Sequence, residues 1–277
     1  MARAGAHGSP ASIRALVPPA RPARGLALPT ASANRGIIGL AWAAGIPVFE
    51  VGRLAADETL AALRDPRPDL FVVACFPRLL PPALLRLPRL GALNVHPCLL
   101  PAYRGPSPLF WVFHDGLEHA GVTLHFMDVG ADTGDIIAQT PLALPDGISY
   151  AAAEQLCAEE GGRLVVEAAR ALGEGGITAW PQPATGVSYA PVPREDAFVV
   201  TPDWPARRAF NFIRGVADRG YPVVLQVGAE RLTVREAITF DDRGTMSAPV
   251  ERVGDKVRLC CSPGVLTGLV ARQRATR

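Results

Sequence analysis

Two short segments concentrate the side chains able to do proton and oxyanion chemistry. The first is Leu93-Asn94-Val95-His96, closed by Pro97. Residues two apart on a strand project to one face, so Asn94 and His96 present an amide donor beside an imidazole. Such a pair can hold a developing oxyanion or shuttle a proton. Pro97 ends the strand, which puts that face near the carboxyl edge of the sheet, where open α/β folds place ligands. A lone Asn-x-His is also a common buried polar pair. The second segment, residues 127–135, holds Asp128, Asp132 and Asp135 with Gly130 and Gly134. A carboxylate on so tight a loop can orient a histidine and keep it charged, or accept a proton. The same residues can equally do nothing but satisfy a turn. The twelve-residue calcium loop is excluded, because its closing bidentate Glu is missing.

The elements that must position these residues alternate. Apolar runs at 13–17, 47–51 and 69–76 read as strands, and 34–45 and 54–64 as helices between them. Residues 92–96 form the next strand, followed by a loop at 97–105 and a helix from 106 to about 115. Strands follow at 122–127 and 136–144, and a long helix at 150–172. This order predicts an α/β fold with a mostly parallel, doubly wound sheet. Residues 181–193 are proline-rich and read as part of a linker. A helix near 205–215 and four alternating runs at 221–227, 230–238, 246–253 and 256–261 predict a small C-terminal β-barrel. The expected organisation is a catalytic domain over 1–180, a linker over 181–199 and an OB-like β-barrel over 200–277.

Composition narrows the functional classes. Hydrophobic residues make up 49% of the 277, enough for a sizeable core. No run reaches the 18 apolar residues of a membrane span, and the first twenty residues lack a signal-peptide pattern. The five cysteines, Cys75, Cys98, Cys157, Cys260 and Cys261, include no C-x-x-C pair, which argues against a disulfide framework and a zinc site. A cytoplasmic protein without a metal or a membrane is expected. The net charge of +2 is unevenly spread: +5 over residues 1–53, −8 over 54–200 and +5 over 201–277. Basic ends around an acidic middle suit a polyanionic partner, although a solvated surface explains them as well.

Several blocks in register carry a resemblance. NVHPCLLPAYRGPSP at 94–108 and GVTLHFMDVGADTGDIIAQ at 121–139 resemble the folate-dependent formyltransferase family. RPARG (21–25), AGIPVFE (44–50), PDLFVVACFPRLLP (68–81) and LPRLGALNVH (87–96) fall in the family's order, so the resemblance covers roughly residues 20–240. Within the family the chain is most similar to the methionyl-tRNA formyltransferase branch. The resemblance implies a Rossmann-like formyltransferase domain and transfer of a formyl group from 10-formyltetrahydrofolate to an amine. It places the family's catalytic residues on Asn94, His96 and Asp132. Asn94 and His96 would stabilise the oxyanion, and Asp132 would orient and charge His96 and help route the amine proton.

Folate contacts carried over in the same way fall on Phe76, Leu79 and Leu80, on Cys98, Leu99, Leu100 and Pro101, and on Asp128 and Val129. Cys98 stands where the family usually has serine. Acceptor contacts would come from Arg21, Arg24, Arg104, Arg207 and Arg214, with initiator tRNA as the expected partner of a monomeric enzyme. His114, His119 and His125 lie outside the motif and read as structural or solvent-exposed. A sugar-amine formyltransferase or a 10-formyltetrahydrofolate hydrolase would share the catalytic trio. The family also has a strand, a Gly-rich turn and a helix ahead of the strand matching 13–17, and nothing here corresponds to them. The expectation is therefore a missing first strand, through an upstream start or a truncated, inactive folate-binding protein.

Overall fold

The computed structural model describes residues 15–17, 37–51 and 53–271. The chain divides into two compact units. In the first, β1 (Ala15–Val17) pairs in parallel with β2 (Val48–Glu50), and α1 (Ile37–Ala43) lies between them in sequence. Gly45, at φ +66°, lets the chain turn from α1 toward β2. Then come α2 (Asp57–Arg64) and the single turn α3 (Pro82–Leu85). Helix α2 carries Asp57 and Glu58 in its first turn and Arg64 in its last, each charge set against the helix dipole. Ile13 and Arg14 lie outside the described residues.

The second unit contains a four-stranded sheet in the order β3 (Phe71–Ala74), β4 (Ala92–His96), β5 (Gly121–Phe126), β6 (Ile136–Pro141). Strands β3 and β4 are parallel, as the alternation predicts. From β4 onward the sheet is antiparallel, so it is a mixed sheet. The β5–β6 connection holds nine residues, 127–135, too few for the crossover that parallel neighbours need. Helix α4 (Pro108–His114) sits between β4 and β5 in sequence. The long α5 (Tyr150–Gly173) is N-capped by Ser149, whose Oγ accepts from Ala152 N. Its Cys157, Leu164 and Ala168 share a buried cluster with Leu93, Val122, Leu124 and Ile137 of the sheet.

The C-terminal part is a six-stranded sheet. It runs β10 (Val250–Val253), β11 (Lys256–Cys260), β12 (Val265–Val270), β9 (Glu230–Asp241), β8 (Val223–Val227), β7 (Val199–Val200). Helix α6 (Ala206–Ala217) buries Phe212, Ile213 and Val216. The three elements α3, β7 and β12 are not among those read from the sequence. One buried cluster joins Cys98, Ala102 and Tyr103, then α4, then α6, and then Val200, Leu225, Leu232, Leu259 and Leu266. The residues before and after 181–199 therefore share a core. Among the described residues no helix is long and apolar enough to cross a membrane.

Two adjacent glycines of α5 test the helix–sheet packing. A Cβ on Gly161 would stand 2.5 Å from Val95 Cγ1, whereas one on Gly162 meets nothing within 4 Å. Val95 is β-branched and stiff on its strand, so it yields little. Gly161→Ala should destabilise by about 1–3 kcal/mol. Gly162→Ala should stabilise by about 0.5–1 kcal/mol, because alanine is the better helix residue. Urea midpoints of the two variants check this, and a stabilised Gly161→Ala would contradict the packing.

Candidate active site

The antiparallel register of β4 and β5 sets Asn94 opposite His125 and His96 opposite Thr123. Asn94 Nδ2 donates to Asp132 Oδ1 at 3.0 Å and lies 3.2 Å from His125 Nε2. Asp132 comes from the loop between β5 and β6. Its Oδ2 accepts from the backbone N–H of Gly105 at 2.8 Å and lies 3.6 Å from His96 Nδ1. The three residues selected by the resemblance thus meet on one carboxylate. His125, which the sequence reading set aside, is 1% exposed and belongs to the same group, its Nε2 3.5 Å from Asp132 Oδ1. A carbonyl can only accept, so His125 Nδ1 donates to Phe126 O at 2.7 Å and turns Nε2 toward Asn94 and Asp132.

The loop after β4 holds the other side of His96. His96 is 3% exposed, and its Nε2–H donates to Tyr103 O at 3.0 Å. Nδ1 is then the nitrogen left to gain or lose a proton beside Asp132. Thr123 ties the loop to β5: its Oγ1 donates to Cys98 O at 2.7 Å and accepts from Leu100 N at 3.1 Å. Gln139 Nε2 donates to Leu100 O at 2.7 Å. On the acidic loop, Asp128 Oδ1 accepts from Gly130 N and Thr133 Oγ1, which is turn chemistry. Gly134 permits a close crossing, since a Cβ there would stand 2.0 Å from Phe126 O.

Burial sets the charge states. It pushes His96 below its ordinary value of 6.5, more strongly than the neighbouring Asp132 charge raises it. Burial pushes Asp132 up, but His125, the His96 charge and the Gly105 N–H together bring it below 3.8. At neutral pH the pair rests as imidazole and carboxylate, able to accept one proton between them. Asp132 favours the charged ring, and burial opposes it.

The remaining candidates are distributed. Phe76, Leu79 and Leu80 belong to the first unit, where Leu79 is 60% exposed and Leu80 is buried. Cys98 is fully buried, its thiol donating to Ala102 O, so only its backbone can meet a ligand. Leu100 is buried, Leu99 and Pro101 are half-buried, and Val129 is 72% exposed. Arg104 donates from Nε and Nη2 to Gln182 Oε1. On α6, Arg207 pairs with Asp146 at 2.8 Å and Arg214 with Glu236 at 3.3 Å. Arg21 and Arg24 lie outside the described residues. Among the described residues no three or more His, Cys, Asp or Glu side chains are grouped to hold a metal ion.

An amide, an imidazole and a carboxylate converge at the carboxyl end of β4, an arrangement able to donate to an oxyanion and to take up a proton. The formyl transferase family model matches residues 12–169, and the chain belongs to that family. It is 44% identical over 179 residues to a methionyl-tRNA formyltransferase of Synechococcus sp. (strain JA-3-3Ab), covering 63% of this chain and 55% of that protein. It is 33% identical over 235 residues to one of Pelobacter propionicus, covering 82% and 71%. The chain thus spans about half the length of the first of these relatives. In fold it resembles an N-formyltransferase from Helicobacter canadensis solved with folinic acid and dTDP-3-aminofucose, at TM-score 0.63 and 14% identity over 85% of this chain and 82% of that one. It also resembles HypX from Aquifex aeolicus, at TM-score 0.58 and 19% identity over 93% and 45%.

The lowered His96 value has a measurable consequence. As pH falls through 6.5 the unfolded chain takes up a proton at residue 96 that the folded chain refuses, so stability falls with pH. His96→Asn should remove that part of the dependence. Urea midpoints at pH 7.5 and pH 5.5 (conditions of about one unit on either side) measure it. Equal losses in parent and variant would show that His96 titrates normally.

Proposed function

We propose that this chain transfers a formyl group from 10-formyltetrahydrofolate to the amino group of methionyl initiator tRNA in the cytoplasm. The observation that carries the reading is the sharing of Asp132 by Asn94 and His96 at the end of β4. Bound 10-formyltetrahydrofolate would supply the activated formyl carbon. The donor set fits a formyl amide: Asn94 can turn one N–H to a carbonyl oxygen that is gaining charge. His96 and Asp132 together can take the proton an attacking amine must lose. Half-buried Leu99 and Pro101 and exposed Val129 offer apolar surface for an aromatic ring.

The acceptor is argued from α6 and from the relatives' names. Arg207 and Arg214 are 60% and 42% exposed, and exposed ion pairs contribute only about 0–1 kcal/mol, so phosphate oxygens can displace Asp146 and Glu236. Arg208 differs. Its guanidinium lies 3.7 Å over the Trp204 ring and 3.6 Å from Asp115, which makes it part of the packing.

Formyl transfer to methionyl-tRNA measures the first claim. His96→Ala and Asp132→Ala should each lose at least about 100-fold in kcat while keeping a cooperative melt. Near-parent activity in either would remove the assignment. For the acceptor, Arg207→Ala with Arg214→Ala should raise the KM for tRNA and flatten its salt dependence, with donor KM unchanged. A parent enzyme whose acceptor KM ignores salt would instead favour a small sugar amine.

A further inference from the structure

The proline-rich stretch after α5 is built into the site. Trp180 exchanges two backbone hydrogen bonds with Ile136 at 2.8 and 2.9 Å. Ser188 Oγ accepts from Tyr103 N at 2.9 Å, Ser188 O accepts from Arg104 N at 2.9 Å, and Ala190 N donates to Arg104 O at 2.7 Å. Between these anchors lies Gln182. Its Nε2 donates to the carbonyls of Asp132 and Gly134, both at 2.8 Å, and its Oε1 accepts from Arg104 Nε at 3.1 Å and Nη2 at 2.7 Å. Two donated and two accepted bonds use the whole capacity of a side-chain amide.

We infer that Gln182 is a positioning residue for Asp132, its amide fastening the acidic loop to the Arg104 loop so that the Asp132 carboxylate stays against Asn94, Gly105 and His96. Asp132 has φ +55°, a left-handed conformation that aspartate adopts more readily than most non-glycine residues when bonds hold it in place. Asn94 and Gly105 hold its carboxylate, and Gln182 holds its carbonyl. Without the two Gln182 donors the backbone is free to relax, and the carboxylate moves with it. Arg104 closes the clamp from the other side, directly before Gly105, whose N–H meets Asp132 Oδ2. Residues 181–193 therefore act as a strap across the site as well as a connection. Only the kinetic arm of the test rests on the formyl-transfer reading.

The groups facing His96 are Asp132, His125 and the Tyr103 carbonyl, and the Asp132 charge raises the His96 value. A displaced carboxylate should lower that value further. Gln182→Met keeps the length and removes all four bonds, while Gln182→Glu keeps the Arg104 contact but loses both N–H donors. By histidine NMR on the full chain, with His96 assigned through His96→Asn, His96 in Gln182→Met should titrate at lower pH than in the parent. In formyl transfer both variants should lose about 100-fold in kcat, as small misplacements of reacting groups do, with donor KM within about twofold. An unshifted His96 in Gln182→Met, or parent kcat in Gln182→Glu, would overturn the inference. So would loss of the cooperative melt in both variants, which would make the amide a folding residue only. A parent without formyl transfer would sink the proposed function, but the NMR shift would still decide the role of Gln182.

Discussion

Everything at the site depends on one carboxylate held on a left-handed turn of the backbone. Asp132 receives the Asn94 amide on one oxygen and the Gly105 N–H on the other, and His96 and His125 stand within 3.6 Å. A left-handed φ costs an ordinary L-residue about 1–2 kcal/mol, and less at Asp, whose short side chain can bond locally. The bonds on its side chain and its carbonyl offset that cost and leave a single arrangement. The same charge limits how far burial can lower His96, so conformation and proton affinity are set together.

The framework around Asp132 explains why the chain is ordered as it is. The nine-residue β5–β6 loop is short enough to force an antiparallel pair, and the β4–β5 register then puts His125 across from Asn94. The loop 98–105 is tied to β5 and β6 through Thr123 and Gln139 and to the later stretch through Ser188 and Ala190. Tyr103, whose carbonyl holds His96, is also in the buried cluster that runs through α4 and α6 into the C-terminal sheet. Packing of that sheet is thereby continuous with the loop that orients the imidazole.

Much of this was legible in the residues. The strand at 92–96, the long helix after Ser149 and the acidic turn follow from local apolar patterns and from Asp and Gly placement. What escaped was non-local. His125 is ordinary in sequence, and its role appears only once the β4–β5 register is known. Gln182 lies between two prolines in a stretch whose composition signals a linker, and nothing local reveals its contact with a loop some 50 residues earlier. Strand β7 has two residues, too few for any periodicity. The balance at His96 was not legible either: proximity to a carboxylate shows the influence that raises its value, but not the burial that lowers it.

The central claim is that Asp132 and His96 act as one proton-accepting unit. Single-turnover formyl transfer measured for His96→Asn, Asp132→Asn and the double variant tests it most directly. Groups that work as a unit lose their contribution together, so the double variant should be no slower than the slower single one, within about twofold. Losses that multiply across the two substitutions would show two independent contributions and contradict the account.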